Sequence, residues 1–307
     1  MRKRVRVAVV GVGRWGRLHA EKFASMRGAE LIGVVDIVPE RARLVASALG
    51  TRPYFDYREL LGKVDAVSIA TPTNTHYEIA KAFLEAKVDV FLEKPMTQAL
   101  AEARELGELS RRGDLILQVG HLERFNGALF GIDGLLKDPE RVKGVRLSPF
   151  SERSLDVDVV LDLMIHDIDL LCHLLDLKVR TLEAEGKRVK SPLADEVQVT
   201  IWTEDGRKVE LVASRVAPEK VRSITFFQPH GQLTLDLLRH RFVFKGNGTL
   251  REGGSLRDSL REELSSFLES VRNRRPPVVG PSDGIRALEV ALSISEAVHS
   301  QWAKGTS

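Results

Sequence analysis

Residues 5–36 read VRVAVVGVGRWGRLHAEKFASMRGAELIGVVD. An apolar run, Val5 and Val7–Val10, leads directly into Gly11-Val12-Gly13-Arg14-Trp15-Gly16. A helical pattern follows, then a second apolar run that ends at Asp36. This is the pattern of a strand, a tight turn, a helix and a second strand that together hold a dinucleotide. Gly11 permits the turn off the strand, Gly13 lets a pyrophosphate approach the backbone, and Gly16 lets the helix pack close to the sheet. Amide groups at the helix start then face the phosphates. Arg14 and Trp15 lie inside the turn and count with the glycines as cofactor-binding candidates. Asp36 falls twenty residues beyond Gly16, in register to accept hydrogen bonds from a ribose. An ordinary βαβ turn is the alternative; the strand before, the helix after and the acid in register favour the dinucleotide. A carboxylate at Asp36 repels a 2′-phosphate, and Ile37, Val38 and Pro39 follow it rather than an arginine, so NAD is favoured over NADP. Arg41 and Arg43 stand close enough in sequence to oppose that preference.

A chain of 307 residues has length for two domains, expected at 1–120 (NAD-binding) and 121–307 (substrate-binding and oligomerisation). With 43% hydrophobic and 29% charged residues the composition is that of a globular protein. No run approaches the roughly eighteen apolar residues a membrane helix needs. The first strand begins near Val5, which leaves no room for a signal peptide, and the basic start MRKRVR reads as a solvated terminus. A net charge of +3 argues for neither nucleic acid nor membrane as partner. Cys172 is the single cysteine, so no internal disulfide forms and a reducing, cytoplasmic location is expected. Its apolar surroundings suggest an inert buried thiol rather than a nucleophile.

Up to about residue 120 apolar strands alternate with amphipathic helices, with strands at 65–70, 89–93 and 115–119 and helices at 39–49, 75–85 and 100–112. That rhythm predicts a parallel sheet covered on both faces. Beyond Gly120 it stops. Strands with apolar/polar alternation are expected at 142–150, 181–189, 196–203, 208–213, 221–227, 231–236 and 241–245, with helices at 159–175, 259–271 and 283–298. The fold class is therefore α/β: a Rossmann dinucleotide-binding domain, then an α+β domain with a largely antiparallel open sheet.

Three segments carry candidate chemistry. The apolar helix at 159–175 holds Asp162, His166, Asp169 and His173 at spacings of 4, 3 and 4, one stripe of a regular α-helix. Unpaired buried charge is costly, so the stripe faces partners or a polar cavity. It reads as a satisfied structural network, as a metal site that lacks further clustered ligands, or as a substrate cavity in which Asp162 orients His166 as general base. Glu93-Lys94-Pro95 follows a strand at the carboxyl edge of the sheet, where α/β domains bind ligands. The lysine, which precedes a proline, is held extended or stands before a cis bond, although a lone lysine there also suits plain surface. Thr71-Pro72-Thr73-Asn74-Thr75-His76 lies at another strand end, where Asn74 or Thr75 as helix N-cap is a sufficient account.

These pieces in this order resemble the glucose–fructose oxidoreductase/inositol dehydrogenase (Gfo/Idh/MocA) family, from Val5 to about Val298. The resemblance implies Lys94, Asp162 and His166 as catalytic residues and the loop with Thr71, Pro72, Asn74 and His76 beside the nicotinamide, with Glu93 and Lys94 also at the cofactor. It implies Arg124, Asn126 and Asp169, together with Lys94, Asp162 and His166, as substrate contacts, with no metal. It further implies a homodimer or homotetramer through the C-terminal sheet. Val159-Val160 stands where many relatives have Gly-Gly. GHLERFN (120–126) with LDLMIHDIDL (161–170) is more similar to the branch that acts on nucleotide-linked amino sugars. The activity implied is hydride transfer between NAD and a secondary alcohol of a sugar or nucleotide sugar, for instance the 3-hydroxyl of UDP-N-acetylglucosamine. Two other readings suit the same fold: a non-catalytic NAD-sensing regulator, which has no need of intact proton-transfer groups, and a glycosidase that uses NAD for a transient oxidation.

Overall fold

The structure is a computed structural model that describes residues 4–151 and 155–304; the first three residues of the basic start lie outside the described residues. The chain forms two compact units, Met1–His121 with Leu260–Ile285, and Leu122–Ser259 with Arg286–Ser307.

In the first unit β1 (Val5–Val10), α1 (Arg14–Ser25), β2 (Ala29–Val35), α2 (Pro39–Leu49), β3 (Arg52–Tyr54), β4 (Ala66–Ile69), α3 (His76–Glu85), β5 (Asp89–Glu93), α4 (Leu100–Gly113) and β6 (Leu117–Gly120) follow in turn. Every strand pairing is parallel and the order is β3-β2-β1-β4-β5-β6. The order reverses between β1 and β4, the position at which doubly wound sheets bind ligands beyond their carboxyl ends. Near-continuous Val, Ala, Ile and Leu in β1, β4 and β5 are buried, as a sheet covered on both faces requires. α1 buries Gly16, His19, Ala20 and Phe23, a helical stripe that contains one imidazole.

The second unit opens with 3₁₀ turns at Leu122–Phe125 and Gly127–Leu129, then β7 (Arg141–Leu147). A π-helical turn at Val160–Met164 runs into α5 (Ile165–Leu175), followed by β8 (Val179–Lys187), β9 (Glu196–Thr203), β10 (Lys208–Ser214), β11 (Val221–Gln228), β12 (Gly231–Asp236), β13 (Arg241–Gly246) and β14 (Thr249–Gly254). The sheet order is β14-β13-β12-β11-β7-β10-β9-β8, antiparallel except for the β7–β10 pair. Alternate residues such as Val197, Val199 and Ile201, or Val209 and Leu211, are buried and their neighbours are not. One face therefore forms the core. β14 escapes the sequence reading because its Gly-flanked polar run, mostly exposed on the edge beside β13, shows no apolar alternation.

Two expectations change. The chain passes from the first unit to the second near residue 121, but α6 (Ser259–Asn273) and the loop after it belong with the first unit, and the split at 285/286 falls within α7 (Pro281–Lys304). The cause is local packing: Phe267 meets Phe91 edge-on at 5.7 Å, the Gln118 amide donates to the Glu263 carbonyl at 3.2 Å, and Val119 N–H donates to Val279 O at 3.1 Å. The helix expected at 159–175 is not one regular α-helix. Its first turn, Val160–Met164, is π-type, with one more residue per hydrogen-bonded ring, before the α-helix begins at Ile165. Asp162 and His166 are half-buried, Asp169 is buried and His173 is exposed.

Candidate dinucleotide site and proton-transfer residues

The glycine turn is shaped as its sequence demands. Gly11 has φ +81°, and a Cβ on it would lie 2.7 Å from Thr71 Cγ2. A Cβ on Gly16 would sit 1.7 Å from the Gly11 carbonyl oxygen, so the start of α1 can close onto the turn only through glycine. A Cβ on Gly13 would meet nothing within 4 Å, which leaves open space where the pyrophosphate approaches. α1 has no side-chain cap and no acid in its first turn, so its leading amides keep their donors for an anion. Arg14 and Trp15 are exposed beside them.

Asp36 is buried after β2 and braces this turn. Its carboxylate accepts from Val12 N–H at 3.0 Å and Val38 N–H at 2.9 Å, and pairs with Arg41 Nη1 at 3.2 Å. Arg41 is thereby neutralised beside the position that a 2′-phosphate would take, which keeps the discrimination in favour of NAD. Arg43 lies over the Phe55 ring at 5.0 Å and pairs with Glu40.

At the ends of β4 and β5 the expected residues separate by role. Pro72 and Asn74 are exposed and Thr71 and Thr75 half-buried. The Thr75 hydroxyl lies 2.8 Å from both Thr71 Oγ1 and Pro72 O, and Thr75 makes no side-chain capping bond to α3, contrary to the N-cap account. His76 is buried, with Nδ1 2.9 Å from Pro95 O and Nε2 3.0 Å from Thr71 O. It ties two loops together. The Lys94–Pro95 peptide is cis, and Lys94 is half-buried. The Glu93 carboxylate is turned to protein partners: Oε1 pairs with His19 Nε2 at 3.2 Å and Oε2 accepts from Lys94 N–H at 3.2 Å. Burial opposes its ionisation, but the His19 bond and charge and the Lys94 ammonium prevail and hold its pKa below the usual glutamate range.

In the second unit Asp158, which the sequence reading passed over, caps the helical start: Oδ1 accepts from Val160 and Leu161 N–H, both at 3.0 Å. Val159 N–H donates to Ala194 O at 3.0 Å, so the Val159-Val160 pair enters the helix through a fixed anchor. Arg124 and Asp169, expected at the substrate, form a bidentate pair at 2.6 and 2.8 Å with side chains 2% and 1% exposed. Arg124 thus gives two of its donors to a carboxylate. Asn126 is likewise bonded within the protein: Nδ2 donates to Glu123 Oε2 at 2.7 Å and Leu237 O at 2.8 Å, while Oδ1 accepts from Ala128 N–H at 2.9 Å. Behind α5, the buried Arg146 donates to Asp167 at 2.6 Å and to Glu123 at 2.9 Å, with Arg222 3.5 Å from Glu123. Burial raises the Asp167 pKa against the pull of Arg146, and the two carboxylates hold Arg146 above the usual arginine value despite its burial. Asp167 lies next to His166 in a segment where four acids and histidines already drew attention, and nothing in sequence spacing marked it as the one facing an arginine. Among the described residues no group of three or more His, Cys, Asp or Glu could hold a metal ion, and no helix is long and apolar enough to cross a membrane.

A doubly wound parallel sheet with an open glycine turn, an uncapped helix start and an acid closing β2 defines a dinucleotide-binding oxidoreductase domain. Sequence profiles agree: residues 5–121 match the oxidoreductase family with NAD-binding Rossmann fold, and residues 128–234 match the GFO/IDH/MocA C-terminal domain. The chain belongs to the Gfo/Idh/MocA family, and its cofactor is NAD. It is 35% identical to a UDP-N-acetylglucosamine 3-dehydrogenase of Acidithiobacillus ferrooxidans, over 96% of this chain and 97% of the relative. A solved structure of UDP-N-acetylglucosamine 3-dehydrogenase from that organism superposes with a TM-score of 0.92 at 34% identity, covering 97% of this chain and 99% of the other. A scyllo-inositol 2-dehydrogenase (NAD(+)) of Bacillus subtilis is 29% identical over 97% of this chain and 95% of its own. These relatives support an enzyme rather than a sensor or a glycosidase.

Proposed function

We propose that the protein oxidises the 3-hydroxyl of UDP-N-acetylglucosamine, or reduces the corresponding ketone. The observation that carries this reading is similarity along nearly the whole chain to a dehydrogenase of that substrate, with Lys94, Asp162 and His166 all present. The glycine turn, Asp36 and the exposed Arg14 and Trp15 would hold NAD, which when bound supplies the acceptor for hydride leaving the carbinol carbon. His166 takes the hydroxyl proton as general base. Lys94 Nζ donates to the substrate oxygen and stabilises its alkoxide character. Asp162 orients the imidazole and stabilises its protonated form. The Arg124–Asp169 and Arg146–Asp167 pairs hold α5 rigid beneath His166.

The protein is read as cytoplasmic, on its single buried thiol. It is also read as a homodimer or homotetramer, through the outer face of the second sheet, where Trp202, Val212, Phe227 and Val243 are half-exposed. The function is tested by mixing the protein with NAD and following NADH absorbance with UDP-N-acetylglucosamine, UDP-glucose, and myo- and scyllo-inositol. NADH formation with UDP-N-acetylglucosamine above all others is expected. Turnover of an inositol with none of the nucleotide sugar would overturn the substrate assignment.

A further inference from the structure

His19 has no place in the reaction described above, yet it is fully buried on α1, the helix that follows the glycine turn. Its Nδ1 lies 2.8 Å from Ser68 Oγ on β4, its Nε2 lies 3.2 Å from Glu93 Oε1 at the end of β5, and Phe91 closes its edge at 5.4 Å. Glu93 in turn accepts the Lys94 amide. α1, β4 and the end of β5 are joined by one polar chain, Ser68–His19–Glu93–Lys94, which runs from the buried Ser68 and His19 to the half-buried Glu93 and Lys94. A buried carboxylate next to an ammonium is costly unless its charge is compensated, and His19 with Lys94 provides that compensation.

We propose that His19 is a positioning residue for Lys94. By holding Glu93 as a fixed carboxylate, it sets the direction of the Lys94 backbone and keeps a negative charge beside the ammonium, and it ties that arrangement to the helix that carries the cofactor phosphates. The inference rests on Lys94 taking part in turnover. Glu93 accordingly works through Lys94 rather than on the cofactor directly, and Ser68 fixes the imidazole's orientation from the far side.

Two measurements test it. In the cofactor-free protein, the ¹³C carboxyl signal of Glu93 is followed as pH is lowered, in wild type, His19→Gln and Ser68→Ala. Wild type should remain a carboxylate below the ordinary glutamate midpoint of about 4.3. His19→Gln leaves burial dominant and should move the midpoint upward; Ser68→Ala, which removes a single hydroxyl, should move it in the same direction by less. Identical midpoints in wild type and Ser68→Ala, with His19→Gln either identical or unfolded, overturn the proposal. In turnover, Glu93→Gln keeps an acceptor for the Lys94 amide but loses the charge. Its kcat should fall about 10–100-fold, and the alkaline limb of its pH–rate profile should move about one unit lower. A loss confined to NAD affinity, with kcat and profile unchanged, also overturns it. Lys94→Ala run alongside separates the two levels: retained turnover there refutes the role of Lys94 itself, whereas lost turnover there with an unmoved Glu93→Gln profile refutes only the positioning role.

Discussion

At the start of α1 the leading amides meet no side-chain acceptor, whereas at Val160 and Leu161 both amides of the other helical start are taken by Asp158. The first start has an open volume at Gly13; the second leads into a helix whose buried acids are bound by Arg124 and Arg146. The difference separates a site that waits for a ligand from a platform that must not move. Orphan amides at a buried or half-buried helix end need partners, and when the protein withholds them a ligand supplies them. Where the protein supplies every partner, as around α5, the element gains rigidity and loses freedom to bind.

Breaking the platform has the largest expected effect. Arg146→Met leaves Asp167 buried without its guanidinium and should destabilise the protein by about 3–5 kcal/mol, read by urea unfolding. A change below about 1 kcal/mol would show that the network is not a support. Filling the open start comes next. Gly13 has φ −63°, so Gly13→Asp is tolerated by the backbone, and it places a carboxylate where phosphate oxygens belong. NAD affinity measured by calorimetry should fall about 100-fold, equivalent to about 2.7 kcal/mol, with the melting temperature little changed. Asp158→Ala removes the cap that distinguishes the second start and should cost about 1 kcal/mol without altering NAD affinity. Smallest is the thiol on α5. Burial foremost pushes the Cys172 pKa up to about 12, so at pH 8 a thiol reagent should label it only after unfolding. Rapid native labelling would show that α5 opens.

The first unit was legible because its signals are local. Gly11, Gly13, Gly16 and Asp36 are set by turn geometry and register: Gly11 has φ +81°, Gly16 closes onto the Gly11 carbonyl, and Asp36 accepts from Val12 N–H. The second unit was legible as a sheet, through its apolar/polar alternation, but its polar pairings were not. Arg124, Asn126 and Asp169 look available in sequence because a charged or amide side chain advertises what it can bind, not what it has bound. Their partners arrive from Glu123, Leu237 and one another, contacts fixed by tertiary packing. His76 and His19 were opaque for the same reason, since both imidazoles meet neighbours from distant segments: loop carbonyls for His76, Ser68 and Glu93 for His19. The π turn at Val160–Met164 was invisible because residue spacing assumes a regular helix.

Under the proposed function, Lys94 and His166 both serve the same turnover of the sugar hydroxyl. A double-mutant cycle on kcat tests it: Lys94→Ala, His166→Ala and the double variant, each saturated with NAD and substrate. Each single change should lower kcat by about 10²–10⁴-fold, and the double variant should be little slower than the slower single one, because residues that act as a unit are not additive. Full additivity, the two losses multiplying, would contradict the account.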